Sequence, residues 1–314
     1  MDNKFDVIII GGGPAGLTAG IYLSRAKIKT LILNEGTVGG QMVLTHEIAN
    51  YPGVENINGY QLSSIMKKQA LSFGCEVRGN LKITSLDLTG DEKIIEVNGN
   101  ETYFADAVIL STGGRSKTIG APGEDKFKGM GISYCATCDG DFFQDKDIIV
   151  VGGGNSALEE AVSLTKYASS VTVVHQFDHF QAFESAVREA KANPKISFIM
   201  ESEIQEFKGD QSLKGVIIKN VRTGEIIEKD IDGAFILIGY EPSTEKIEGL
   251  VKLNNRKEIL TDENLATNVP GVFAAGDSRK KKFRQVTTAV SDGTISALGT
   301  IEYLESIKKE VLAH

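Results

Sequence analysis

Cysteine is scarce in this chain, with three in 314 residues. That excludes the clustered cysteine sets that hold an iron–sulfur centre. A zinc site needs four ligands. The histidines, His46, His175, His179 and His314, show no ligand spacing near the third cysteine, Cys75, so no metal is expected. No apolar run is long enough to span a bilayer, and no basic stretch with an apolar core precedes the first strand-like segment, so neither a membrane nor a secretory leader is expected. Positive charge is in deficit: the net charge of -8 argues against nucleic acid as a general partner. Three cysteines without a leader fit a reducing cytoplasm, which disfavours a purely structural disulfide.

Against those absences stands Cys135-Ala136-Thr137-Cys138-Asp139. Two cysteines separated by two residues can close a small disulfide and reopen as a dithiol, and the acid after them can protonate a leaving thiolate. Two unremarkable buried thiols remain an alternative, although the Asp139-Gly140-Asp141 that follows is polar for a core segment. Cys75, in Phe73-Gly74-Cys75-Glu76-Val77, reads as a small buried side chain.

The length suits two domains, and 41% hydrophobic with 24% charged residues is the composition of a globular protein. Val7 to Ile10 reads as a buried parallel strand. The turn Gly11-Gly12-Gly13-Pro14-Ala15-Gly16 follows, then a helix over Leu17 to Ala26, a strand over Lys29 to Leu33, and Glu35 just beyond it. Strand, glycine turn, helix, strand and acid together make the dinucleotide fingerprint. The turn admits a pyrophosphate and the acid takes a ribose hydroxyl.

The pattern recurs at an offset of 141: Asp6 maps on Asp147, Gly11 on Gly152, Gly13 on Gly154 and Gly16 on Ala157. Ile148–Val151 and Val171–Val174 repeat the strands, and Ala157–Tyr167 repeats the helix. Arg115–Thr118 and Pro242-Ser243-Thr244 read as linkers out of and back into a first domain. Val272–Asp277 reads as a strand ending in an acid, and the pattern is helical from Val286. The expected fold is α/β: two Rossmann-like three-layer nucleotide-binding domains, the second (118–243) inserted into the first (1–114 and 246–314).

At this point the chain resembles the low-molecular-weight thioredoxin reductases over its whole length. The resemblance is carried by Gly11–Gly16, Gly39-Gly40-Gln41, Asn50-Tyr51-Pro52-Gly53, Cys135-Ala136-Thr137-Cys138-Asp139-Gly140, Gly276-Asp277 and Arg284-Gln285-Val286. It implies FAD, bound by Gly11, Gly13, Pro14, Ala15, Gly16, Glu35, Gly40, Gln41, Asn50, Thr112, Gly113, Gly276, Asp277, Arg284, Gln285 and Val286. It implies a homodimer, a Cys138 that faces the flavin, a Cys135 that attacks thioredoxin disulfide, and Asp139 as the acid.

The sequence departs from that family where the second domain would read NADPH. The family carries a His-Arg-Arg-x-x-x-Arg string after the second strand; here stands His175-Gln176-Phe177-Asp178-His179-Phe180-Gln181. Gln176, Phe177 and Gln181 replace three guanidiniums suited to a phosphate. Gln176 also occupies the position equivalent to Glu35, so NADH is not favoured either. In having the dithiol without those arginines, the chain resembles the ferredoxin-dependent flavin thioredoxin reductases. A separate iron–sulfur protein is then the expected donor, steered to the basic segment Arg279-Lys280-Lys281-Lys282. An NAD(P)H-dependent reductase and a flavin-binding redox sensor without turnover are the rival readings.

Overall fold

The apolar run ending at Ile10 lies in strand β1, Lys4–Ile10, and its last four residues are buried. Alternation along the strand sends Val7 and Ile9 to one face of the sheet and Ile8 and Ile10 to the other, and both faces are covered. This computed structural model describes residues 3–45 and 47–313. The chain divides into two units, Met1–Arg115 with Glu241–His314, and Ser116–Tyr240, so the second is inserted into the first.

In the first unit β1 is followed by α1 (Pro14–Arg25), β2 (Thr30–Leu33), α2 (Gly59–Ser72), β3 (Glu76–Arg78), β4 (Ile83–Asp87), β5 (Lys93–Val97) and β6 (Glu101–Leu110). The strand order is β3-β2-β1-β6-β5-β4, parallel from β3 to β6 and antiparallel beyond. Strand β6 serves two neighbours on the same side. Glu101–Ala105 pairs with β5, whereas Val108–Leu110 pairs in parallel with Val272–Ala274. A segment beyond the insertion therefore completes a sheet begun before it. Helices α1 and α2 and the C-terminal helix Val286–Ala313 cover Val7, Ile9, Ala107 and Ile109. On the opposite face, Ile8, Ile10, Leu31, Leu33, Val108 and Leu110 meet Ile83, Ile95 and Tyr103 of the antiparallel strands.

The second unit repeats the scheme. The chain leaves the first unit through β7 (Gly114–Ser116), then forms α3 (Glu124–Phe127), β8 (Ile132–Ser133), α4 (Ala136–Asp139), β9 (Asp147–Val151), α5 (Asn155–Leu164), β10 (Ser170–Val174), α6 (Glu184–Ala192) and β11 (Ile196–Ile199). An antiparallel sheet β12 (Ser202–Gly209), β13 (Leu213–Asn220) and β14 (Ile226–Asp230) comes next, then β15 (Gly233–Ile236) and β16 (Tyr240–Pro242). The parallel sheet has the order β11-β10-β9-β15-β8. Its residues Ile148, Val150, Val171 and Val173 pack under α5 and α6, while Ile149, Val151, Val174 and Ile236 face Val216 and Ile218 of the antiparallel sheet. Both units are thus Rossmann-like and three-layered. Within the segments read as linkers, Arg115 and Ser116 belong to β7 and Pro242 to β16, and these two short strands pair with one another.

The two glycine turns are built alike. Gly11 has φ +106° and Gly152 φ +140°, a region that side chains rarely enter. A Cβ on Gly11 would lie 2.2 Å from the Ser111 carbonyl oxygen, and one on Gly152 would lie 2.5 Å from that of Leu237. Each turn is pressed against the end of the next strand of its own sheet.

Candidate active site

The cysteine pair lies at the start of α4, just after the short edge strand β8. Cys135 and Cys138 are joined as a disulfide, with Cα atoms 5.3 Å apart. One helical turn brings the two sulfurs together: Cys138 N–H donates to the Cys135 carbonyl at 3.2 Å and Asp139 N–H to the same oxygen at 3.2 Å. The segment before the pair is anchored through Tyr134, whose hydroxyl donates to Glu124 at 2.7 Å. Burial, and next the bond to Glu124, push the Tyr134 phenol well above its ordinary range. From the other side Glu160 of α5 accepts the Ala136 N–H at 3.0 Å.

Asp139 is only partly exposed, and burial pushes its carboxyl above the ordinary carboxylate range. A hydrogen bond from Ser133 works against that rise, and the charge of Asp141 adds to it. Burial likewise raises Glu160, opposed by the Ala136 N–H. Two carboxyls inclined to hold a proton therefore flank the redox pair. Sequence reasoning found Asp139 by adjacency. It missed Ser133 and Glu160, because a serine in a two-residue strand and an acid on an amphipathic helix carry no local signal. Cys75 is buried, and burial pushes its thiol up to about 11, as befits an inert side chain.

In the first unit the turn Gly11–Gly16 opens α1, whose N-cap, Gly13, supplies no side-chain cap. Gly40 approaches so closely that a Cβ on it would sit 3.1 Å from the Gly13 Cα, and one on Gly276 would sit 3.0 Å from the Ala15 Cβ. Pro14, Ala15, Gly16, Gly40 and Gly276 are therefore brought together, with Thr112 and Gly113 just past β6 beside Gly11. Thr112 Oγ1 and Asp277 Oδ1 are buried with no hydrogen-bond partner among the described residues. Burial raises the Asp277 carboxyl, and the charges of Lys281 and Arg284 lower it. Gln41 and Asn50 are exposed, and Asn50 belongs to an open hollow lined by residues 49–55. Glu35 accepts the Ile83 N–H at 2.8 Å and pairs with Lys246. Gln285 N–H donates to Thr288 Oγ1 at 3.1 Å, just ahead of Val286, the first residue of the C-terminal helix.

This cradle fits a dinucleotide that also carries several hydroxyls. An uncapped helix N-terminus suits a pyrophosphate, and the Thr112 and Asp277 oxygens that lack a hydrogen bond suit hydroxyl groups. Asn34, which the sequence did not single out, shapes the turn. Its Oδ1 accepts the Gly12 N–H at 2.7 Å, and its Nδ2 donates to the Glu35 and Gly36 carbonyls at 3.0 Å.

In the second unit the residues after β10 fold back over the glycine turn. Gln181 N–H donates to the Gly153 carbonyl at 2.8 Å, and Phe183 N–H to Asn155 Oδ1 at 2.7 Å. The His175 ring packs so tightly on Gly153 that a Cβ there would lie 2.4 Å from it. Gln176, Phe177 and Gln181 are exposed, with the Phe177 ring edge-on to His175 at 5.3 Å. Asp178 pairs with His179 at 2.6 Å, and Arg222, whose charge reaches Asp178, is forked onto Glu201.

The basic segment is not the exposed patch expected of it. Arg279 Nε and Lys281 Nζ donate to Asp292 at 3.0 and 2.8 Å, and Arg284 is turned onto Glu258. Only Lys280 and Lys282 of the five cations are exposed, and Lys282 lies 5.2 Å over the Phe283 ring. The expected docking charge of Arg279 and Lys281 is thus turned inward, because a buried acid eleven to thirteen residues downstream partners them. His46 and His314 lie outside the described residues. Among the described residues no cluster of three acidic, cysteine or histidine groups is placed to hold a metal, and no helix is long and apolar enough to cross a membrane.

A disulfide beside a proton-holding acid, together with two dinucleotide turns, defines a pyridine nucleotide-disulphide oxidoreductase, and residues 5–293 match the model of that family. The chain belongs to it. It is 46% identical over 313 residues to the thioredoxin reductase of Peptoclostridium acidaminophilum, covering 98% of this chain and 99% of that one. It is 44% identical to a 34.2 kDa protein in the rubredoxin operon of Clostridium pasteurianum, covering 96% and 98%. The crystal structure of thioredoxin reductase from Streptococcus pyogenes superimposes with a TM-score of 0.93 at 40% identity, covering 98% of this chain and all of the other. Within the family the chain is a low-molecular-weight thioredoxin reductase, a flavoprotein with FAD as its cofactor.

Proposed function

We propose that this thioredoxin reductase receives its electrons from reduced ferredoxin and uses NADPH and NADH poorly. The observation that carries this reading is the exposed trio Gln176, Phe177 and Gln181, where the family that the chain resembles holds three phosphate-reading arginines. Arg222, the cation whose charge reaches this loop, is bonded to Glu201. A 2′-phosphate would meet Asp178 instead. With the inward-facing cations set aside, Lys280 and Lys282 are the positive groups left to meet an acidic donor.

Bound FAD supplies the two electrons that open the disulfide. The chain's own residues do the rest. Cys135 thiolate attacks a sulfur of thioredoxin disulfide, forming a mixed disulfide and releasing one thioredoxin thiolate, which takes a proton. Cys138 thiolate then attacks Cys135, re-forms the bond seen here and expels the second thioredoxin thiolate, which also takes a proton. Two electrons and two protons pass in all. Asp139 supplies protons to the leaving sulfurs, and its buried carboxyl suits that role. The domains take the roles of an FAD-binding unit and a redox unit. A homodimer in the cytoplasm completes the reading.

A second reading, NAD(P)H as donor, is favoured by the backbone of the second glycine turn, which keeps the left-handed Gly152 and the Gly154 N-cap of α5. The relatives named thioredoxin reductase are also more consistent with this donor than with ferredoxin. Adding NADPH, NADH and photoreduced ferredoxin separately, and following the flavin colour, decides between the two. Bleaching by ferredoxin alone supports the proposal, and rapid bleaching by micromolar NADPH overturns it.

A further inference from the structure

Ser133 is buried and sits in β8, two residues ahead of the redox pair. Its hydroxyl touches both ends of the dithiol segment. Oγ accepts the Cys135 N–H at 3.1 Å and donates its own proton to Asp139 Oδ2 at 2.5 Å. A single hydroxyl thus links the backbone of the attacking cysteine to the acid. We propose that Ser133 is a positioning residue for the reductase reaction, holding the Asp139 carboxyl toward the dithiol and setting the pH at which it gives up its proton.

The chemistry follows from the direction of the bond. A hydroxyl that donates to a carboxylate stabilises the charged form. Burial and Asp141 favour the neutral form, so Ser133 is the group that keeps Asp139 from holding its proton too firmly to release it. Facing the same segment are Glu160 of α5, which is bonded to Ala136 and feels the charge of Glu159, and Asp141 in the turn that follows α4; all are acids. Tyr134, bonded to Glu124, stands just before the pair, and Cys135 and Cys138 join the titratable groups once reduced. Among the described residues, Ser133 is the group that lowers Asp139, and no cation opposes its burial.

The proposal rests on Asp139 acting as the proton donor, and the test separates the two. Photoreduced holoenzyme is mixed with excess oxidised thioredoxin in single turnover across about pH 5 to 9, and return of the flavin colour is timed. The parent rate should fall on the alkaline side as Asp139 loses its proton. In Ser133→Ala the carboxyl is left without its donor, so that fall should move upward by about one pH unit. Ser133→Thr, which keeps the hydroxyl, should restore the parent profile. Ser133→Gly provides the same loss of hydroxyl if the alanine variant does not fold. Asp139→Asn should be slow at every pH and show no such fall. If Asp139→Asn keeps the parent profile, the acid assignment fails. If Asp139→Asn behaves as expected while Ser133→Ala lowers the rate equally at all pH values, Ser133 is only structural and the proposal is overturned.

Discussion

Lys281 Nζ donates to Asp292 Oδ2 at 2.8 Å, and both side chains are more than nine-tenths buried. The same oxygen accepts Arg279 Nε at 3.0 Å and the Gly276 N–H at 3.0 Å. One acid of the C-terminal helix therefore ties down the turn that carries Asp277. Removing one partner of a buried ion pair costs about 3–5 kcal/mol, because the other charge stays buried. Asp292→Ala should lose about that much stability in urea melts of the holoenzyme. Neutralising exposed Lys280 and Lys282 together should change stability by less than about 1 kcal/mol, yet slow reduction by ferredoxin at low salt. Equal melts for the two variants would contradict the clamp.

The disulfide gives a prediction with no threshold. Exchange needs both sulfurs. Cys135→Ser and Cys138→Ser should each bind FAD, show reducible flavin, and deliver electrons to thioredoxin only at background rate. Stopped-flow reoxidation of the flavin by thioredoxin is the measurement. Parent-rate turnover by either variant would remove the pair from the mechanism.

The sequence carried the features that repeat locally. Val7–Ile10 and Ile148–Val151 are continuous apolar runs, and both are central strands buried on two faces. The glycine turns were legible because a left-handed backbone at Gly11 and Gly152 requires that residue type. What stayed hidden depends on partners distant in the chain. Asn34 meets Gly12 across twenty-two residues, and Glu160 meets Ala136 across twenty-four. The run Arg279–Arg284 reads as a basic face because charges in a sequence simply add. Its meaning changed once Asp292 and Glu258 were brought against it.

Asp277 gives a stability prediction with a definite sign. Its folded pKa is raised, chiefly by burial, so the folded state holds its proton more tightly than the unfolded chain does. At neutral pH the ionised carboxylate therefore opposes folding, and that opposition fades as pH falls through the raised value toward about 4. Asp139 and Glu160 shift in the same direction and add to the trend. Asp277→Asn should raise the thermal midpoint of the FAD-free protein at pH near 7 and flatten its dependence on pH. The same change should weaken FAD about 10- to 100-fold, the worth of one charged hydrogen bond. Equilibrium dialysis and calorimetry read the two effects separately. A lower midpoint at neutral pH would show that the carboxylate is compensated in the fold.

In the proposed reading, the electron donor turns on three side chains. Each charged hydrogen bond absent from Gln176, Phe177 and Gln181 forgoes roughly 1.5–3 kcal/mol, so two or three together weaken NADPH by several powers of ten. Asp178, exposed beside them, adds repulsion toward a 2′-phosphate. NADH needs no phosphate contact, but Gln176 stands where an acid would hold its ribose. Millimolar NADPH or NADH should therefore bleach the flavin slowly, while reduced ferredoxin bleaches it fully and thioredoxin restores the colour. The complementary variant is Gln176→Arg with Phe177→Arg and Gln181→Arg. The backbone of that loop is fixed independently of these side chains, through the Gln181 N–H on Gly153 and the His175 ring on the glycine turn. The guanidiniums would thus be presented on an existing scaffold, and NADPH should bind at least about a hundredfold tighter. If the triple variant gains nothing while ferredoxin reduction persists, the obstacle to NADPH is the closed turn itself. If the parent is already bleached by micromolar NADPH, the loop reads the nucleotide without arginines, and ferredoxin is not the donor.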